Sequence, residues 1–227
     1  MTTLTTRRFD TRGALDSALE ERLAQAIAAT GPRAIMLSGG HTPLPAYRAL
    51  ASRPPPHDEQ LHILFSDERY VPRDSEASNY HQARPLLDSL APAPQALLRV
   101  RTELPLEAAA ADYEGGLIKL LESGVRIGLG LLGLGADGHT ASLFTVEDLA
   151  RARGHFAIAV HRPDGMFAVS VTPRVLAQVE ALLFVVAGTG KLDALRALEA
   201  QDPNLTAWSA VKDCPQIELW VHEAVPA

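Results

Sequence analysis

A series of short segments in this chain is apolar at almost every position, and this limits the folds open to it. They cover residues 34–37, 61–65, 127–132, 156–160, 169–171, 182–186 and 217–221. A strand wetted on one side alternates apolar and polar residues. A continuous run needs cover on both faces, as in a parallel sheet. Between the runs lie helical stripes. Leu15, Leu19, Leu23 and Ile27 recur every four residues, and Leu106, Ala110, Tyr113, Leu117 and Leu120 keep the same spacing. Runs alternating with stripes specify an α/β fold, a mostly parallel, Rossmann-like sheet flanked by helices. Residues 156–160 and 169–171 break the alternation. Arg162-Pro163-Asp164-Gly165 joins them in a turn, so this pair is expected as an antiparallel hairpin at the sheet's edge. The proline-rich stretches 53–57 and 91–94 are too short for domain linkers, and residues 1–227 are read as one domain.

Charge narrows the partners. Lys and Arg total 21 against 27 Asp and Glu, a net charge of −6. With no basic patch, nucleic acid is not an expected partner. An anion must be held by a local site instead. A lone cysteine, Cys214, rules out an intrachain disulfide and a cysteine zinc site. The first residues carry no apolar signal segment, and no run reaches the ~18 residues of a membrane span. A cytoplasmic protein with no membrane partner is expected, and its oligomeric state is left open.

In open α/β sheets, ligands bind beyond the carboxyl ends of the strands. The first strand is followed by Ser38-Gly39-Gly40-His41-Thr42-Pro43, a glycine turn in which Thr42 suits a helix N-cap and Pro43 the first helical position. Such a turn cradles an anion. The second is followed by Ser66-Asp67-Glu68-Arg69-Tyr70, and the third by Gly133-Leu134-Gly135-Ala136-Asp137-Gly138-His139-Thr140-Ala141-Ser142. Asp137 is expected to cap a helix beginning near Gly138. His139 would then lie in its first turn, kept neutral by the helix dipole as a general base requires. Gly188-Thr189-Gly190-Lys191 sets a lysine against a helix N-terminus, a local cost that a bound anion offsets. Two motifs fail. Gly128-Leu129-Gly130-Leu131-Leu132-Gly133 matches a dinucleotide fingerprint but lies inside a strand, with Arg153 where an acidic ribose ligand belongs. The 188–191 turn lacks the first glycine and the Ser/Thr of a P-loop. Neither a nucleophile elbow nor a zinc-protease motif is present.

Taken together, these loops resemble the 6-phosphogluconolactonase family, which is related to the glucosamine-6-phosphate deaminases. The matching segments run from Leu37 to Pro43, from Ser66 to Pro72 with Ser78-Asn79-Tyr80, from Leu132 to Phe144, and from Gly188 to Lys191. The third is the most specific. The resemblance implies hydrolysis of 6-phospho-D-glucono-1,5-lactone to 6-phospho-D-gluconate in the oxidative pentose phosphate pathway, without metal or organic cofactor. It implies that His139 activates water and that Asp67 lies beside the reacting ring. Ser38, Gly39, Gly40, Thr42, Arg69 and Lys191 then hold the phosphorylated sugar lactone. The chain departs from the family's pattern at Thr145, which replaces a proline, at Ala177, which replaces an asparagine, and at Ala168, which replaces a phosphate-binding arginine. A hairpin centred between Asp164 and Gly165 sets His161 opposite Ala168 and Arg162 opposite Phe167, about 5 Å across. Arg162, with His161 beside it, is therefore expected to replace the missing charge. Two alternatives stand: a sugar-phosphate deaminase or isomerase using Asp67 as its proton shuttle, and a non-catalytic sugar-phosphate sensor.

Overall fold

The computed structural model describes residues 2–222. Its strands are β1 (Thr3–Arg8), β2 (Arg33–Leu37), β3 (Leu61–Phe65), β4 (Asp67–Arg69), β5 (Arg126–Leu132), β6 (Ala157–His161), β7 (Phe167–Val171), β8 (Val179–Ala187) and β9 (Gln216–His222). Its helices are α1 (Arg12–Ala28), α2 (Leu44–Ser52), α3 (Asn79–Leu90), α4 (Leu106–Glu122), α5 (Val146–Arg151), α6 (Pro173–Leu176), α7 (Leu192–Glu199) and α8 (Thr206–Val211).

The main sheet has the order β1-β9-β8-β5-β2-β3, and every pairing in it is parallel. The continuous apolar runs are explained by cover on both faces. In β2, Ile35 and Leu37 pack toward α1, α2 and α3, while Ala34 and Met36 pack toward α4. The stripe Leu15, Leu19, Leu23 and Ile27 is fully buried. At ~25 cal/mol per Å² of apolar surface, each such side chain contributes about 2 kcal/mol.

The expected hairpin forms from β6 and β7, but its third partner is β4 rather than an edge of the main sheet, and the three make a separate antiparallel sheet. Residues 67–69 are too short and too charged to read as a strand. The other strand without an apolar signature is β1, an almost wholly exposed edge strand that pairs with β9 alone.

The hairpin register also differs by one residue from the expected one. Val160 faces Ala168 and His161 faces Phe167, while the Arg162 amide donates to the Met166 carbonyl at 2.8 Å. The turn takes three central residues, with Gly165 at φ +83°. Because side chains alternate, a one-residue slip changes the face on which each lies. His161 turns away and stacks on Phe167, with ring centroids 5.0 Å apart. Arg162 moves to the face that carries Val160 and Ala168.

Candidate active site

The chain leaves β2 toward β3 on one side and leaves β5 toward β8 on the other. Adjacent strands whose connections part in this way open a crevice at their carboxyl ends. A cleft of about 240 Å³ lies there. It gathers Ser38, Gly39, Gly40, Asp67, Arg69, His139, Arg162 and Lys191, as the sequence suggested, and adds Ser66 and Asn79. Thr42 does not line it. The helix after this loop starts at Leu44, with Pro43 at the cap and no side-chain cap bond. The Thr42 carbonyl accepts from Arg12 Nη2 at 2.8 Å, tying the loop to α1.

The segment after β5 forms no helix at Gly138. It makes a tight turn in which the Gly135 amide donates to the His139 carbonyl at 2.9 Å and Gly138 has φ +83°. Asp137 therefore caps nothing and holds His139 instead. Its Oδ1 lies 2.5 Å from Nδ1 of the imidazole and also accepts the His139 amide at 3.3 Å. Burial pushes the Asp137 carboxyl up, but the hydrogen bonds and charge of His139 outweigh it and hold the carboxyl below its usual range. With Nδ1–H given to the carboxylate, a neutral imidazole keeps the Nε2 lone pair for a water molecule. Gly135 is obligatory, because a Cβ there would overlap both His139 and Asp137.

Asp67 and Glu68 divide their work by strand alternation. Asp67 faces the cleft, and its two oxygens accept from Ser66 Oγ at 2.8 Å and Ser142 Oγ at 2.7 Å. Asn79, which the sequence reading left without a role, donates to the Asp67 carbonyl at 2.8 Å and accepts from Arg69 Nη1 at 2.8 Å. A Cβ on Gly39 would overlap Asn79, so the glycine sets how closely the loops after β2 and β3 meet. The sequence signal for Asn79 was its place in the Ser78-Asn79-Tyr80 match to the family; in the structure it opens α3 behind the N-cap Ser78.

Glu68 points the other way and caps α3, accepting from the amides of Asn79 at 2.7 Å and Tyr80 at 2.8 Å. Burial pushes its carboxyl from 4.5 up to about 7, against the pull of these hydrogen bonds. A pKa raised by folding means that the folded chain holds the proton more tightly. The contribution of Glu68 is therefore fully present below about 4.5 and is lost as pH rises through about 7. Denaturant unfolding of the wild type and Glu68→Gln tests this. From about pH 4.5 to about pH 7 the wild type should lose stability relative to the variant, with a constant gap on either side. A gap that does not vary with pH refutes the assignment.

The cleft carries three cations. Arg69 and Arg162 rise from one face of the small sheet, on either side of Ala168, and Ala168 itself is fully buried. Asp164 holds Arg162 through Nη2 at 2.9 Å, and Nη1 reaches Ser142 Oγ at 3.3 Å. Lys191 closes a 3₁₀ turn after β8 and serves as the N-cap of α7. Burial lowers its pKa, and it makes no hydrogen bond or ion pair among the described residues. Several loop amides are already engaged: Gly40 donates to Gln82 Oε1 at 2.9 Å, Gly135 to the His139 carbonyl at 2.9 Å, and Ser38 to the Tyr47 hydroxyl at 3.3 Å. These three amides are thereby turned away from the cleft, whereas Lys191 carries no partner among the described residues. Among the described residues no group of three or more His, Cys, Asp or Glu is gathered to hold a metal ion.

A larger hollow, about 560 Å³, lies at the amino ends of the strands. Its three arginines are each paired with a carboxylate among the described residues, Arg126 with Glu180 at 2.5 Å, Arg33 with Asp58 at 2.8 Å and Arg22 with Glu218 at 3.7 Å.

The family model described as glucosamine-6-phosphate isomerases/6-phosphogluconolactonase matches residues 10–217. The chain belongs to this family. A 6-phosphogluconolactonase of Synechocystis is 36% identical over 209 residues, covering 87% of this chain and 84% of that protein. One from Thermotoga maritima is 34% identical over 173 residues, 74% of this chain and 76% of that one. The crystal structure of Thermotoga maritima 6-phosphogluconolactonase superposes with a TM-score of 0.80 at 26% identity, over 97% of this chain and 100% of that one. A monomeric glucosamine-6-phosphate deaminase shares the fold, with a TM-score of 0.80 at 17% identity over 96% of this chain and 97% of that one. In this member of the isomerase/lactonase family, Thr145 has a clear task. It caps α5 in a reciprocal box, with its side chain accepting from the Asp148 amide at 3.1 Å and Asp148 accepting from the Thr145 amide at 3.1 Å. No helix of the described residues is long and apolar enough to cross a membrane.

Proposed function

We propose that this chain hydrolyses 6-phospho-D-glucono-1,5-lactone to 6-phospho-D-gluconate in the oxidative pentose phosphate pathway. The observation that carries the reading is a carboxylate-oriented imidazole sharing one small cleft with three cations, in a chain whose curated relatives are 6-phosphogluconolactonases. The lactone carbonyl is electrophilic, so no covalent nucleophile is needed. Water attacks the carbonyl carbon while Nε2 of His139 takes its proton. The carbon–ring-oxygen bond then breaks, and the imidazolium returns that proton to the departing oxygen. Asp137 stabilises the imidazolium between the two steps. Lys191 and Arg162 hold the phosphate, with Arg69 beside them, and fix the ring over His139. Ser38, Gly39 and Gly40 form the wall against which the sugar lies, and Thr42 anchors that wall through Arg12. Asp67 keeps lone pairs beyond its two serine partners and accepts a hydroxyl of the ring.

The test is acidification on adding freshly prepared phosphorylated lactone, with the spontaneous rate subtracted. Ammonia release from glucosamine 6-phosphate without lactone hydrolysis would identify a deaminase, and tight binding of the lactone without turnover would identify a sensor. The hairpin makes a separate prediction. Arg162→Ala should raise KM for the phosphorylated lactone about tenfold, as expected for a lost charge-assisted hydrogen bond, and leave the unphosphorylated lactone unchanged. Unaltered kinetics on both would remove Arg162 from the phosphate site.

A further inference from the structure

Phe144 ends the segment that carries His139, and its backbone is held on both sides. Its amide donates to Asp148 Oδ2 at 3.0 Å, and its carbonyl accepts from Thr206 Oγ1 at 3.3 Å. Just upstream, Ala141 lies in the left-handed region at φ +50°, and Thr140 and Leu143 close a bridge around it. A non-glycine residue stays in that region only where its surroundings over-determine the turn. The aromatic ring is therefore a fixed, half-buried platform.

Two side chains from different loops rest on this platform. The His139 imidazole lies with its centroid 4.2 Å from the ring centroid and its plane tilted by 38°. The Arg162 guanidinium carbon lies 5.1 Å from the same centroid. His139 comes from the loop after β5 and Arg162 from the turn between β6 and β7, and no hydrogen bond joins the two side chains among the described residues. Each is tied at its far end, His139 by Asp137 and Arg162 by Asp164. Ser142 reaches both Arg162 and Asp67 but makes no hydrogen bond with His139.

We infer that Phe144 is a positioning residue that sets the spacing between the water-activating base and the phosphate-binding cation. The inference rests on the lactonase reading above. The ring suits the task because its negative face attracts a guanidinium within ~6 Å and packs against a flat imidazole. An aliphatic side chain of similar bulk fills the space but exerts neither attraction. If the spacing slips, the phosphate no longer places the carbonyl carbon over the water held by Nε2.

The test compares Phe144→Leu and Phe144→Tyr in the full chain, on phosphorylated and unphosphorylated lactone, with melting temperatures measured alongside. Phe144→Leu should lower kcat on the phosphorylated lactone about tenfold through misplacement and raise its KM about threefold through the lost cation–π contact. KM for the unphosphorylated lactone should not move. Phe144→Tyr, which keeps the ring, should stay within about twofold of wild type on both measures. If Phe144→Leu does not fold, Phe144→Met takes its place with the same expectation. A purely structural role predicts instead that Tyr and Leu fail together, equally on both lactones and in step with melting temperature, and that result overturns the inference. Wild-type kinetics for a folded Phe144→Leu overturns it as well. A wild-type chain inactive on the lactone would overturn the lactonase reading and this inference with it.

Discussion

His139→Asn is expected to lower kcat on the phosphorylated lactone by roughly 10²–10⁴-fold while KM changes little. The range is that of a general base removed from a site whose binding groups stay in place. Asparagine fills much of the same volume and can keep a hydrogen bond to Asp137, but its amide has no basic nitrogen to take a proton from water. The His139 side chain is 25% exposed, so its loss opens no buried cavity and the fold should hold. The phosphate cations stand on the small sheet and on the turn after β8, elements that the substitution does not touch. Stopped-flow acidification with the spontaneous rate subtracted is the measurement. Hydrolysis at near wild-type speed would show that another group activates the water, and among the described residues Asp67 is the carboxylate that lines the cleft.

Lys191→Ala should raise KM for the phosphorylated lactone by about 10–100-fold, corresponding to the ~1.5–3 kcal/mol of a hydrogen bond to a charged group. The unphosphorylated lactone should lose far less. Lys191 has no anionic partner within the described protein, and it caps α7 at the end of the helix dipole that disfavours a cation. Burial already lowers its pKa. Both costs are offset when a phosphate dianion arrives, so the ammonium is at its most favourable in the complex. Rising salt should narrow the difference between wild type and variant on the phosphorylated substrate, because the contact is ionic and partly open to solvent. Equal losses on both lactones would mean that Lys191 supports the loop without reading the phosphate.

Local sequence and tertiary structure determine different parts of this molecule. Strands covered on both faces announce themselves, because burial leaves no polar residue on either side; β2, β3, β5 and β8 were all legible as apolar runs. So was the α1 stripe, since one buried face fixes one period. Strands that do not sink both faces leave no such mark. The exposed edge strand β1 went unread for that reason; β4 is buried on both faces but is three charged residues long, and with it went the separate small sheet. Composition and loop order were enough to point to an α/β scaffold with a cleft at the strand ends, and to single out His139, Lys191 and the glycine turns, which line it.

Tertiary structure decided what those residues do to one another. Asp137 reads as a helix cap because aspartate before a glycine favours that position. The turn closed by Gly135 and Gly138 instead aims it at Nδ1 of His139. Arg162 was picked for its closeness to Ala168 through a register that proved one residue out. The true register is what places it on the cleft face, because alternation makes facing depend on parity. Asn79, Ser142 and Phe144 fell within the segments that carry the family resemblance but were given no task, since each acts through contacts that the sequence does not display, Asn79 with Arg69, Ser142 with Asp67 and Phe144 with Arg162. Local sequence sets backbone preference and burial pattern over a few residues, whereas the distances between side chains from different loops exist only once the sheet has brought the strand ends together.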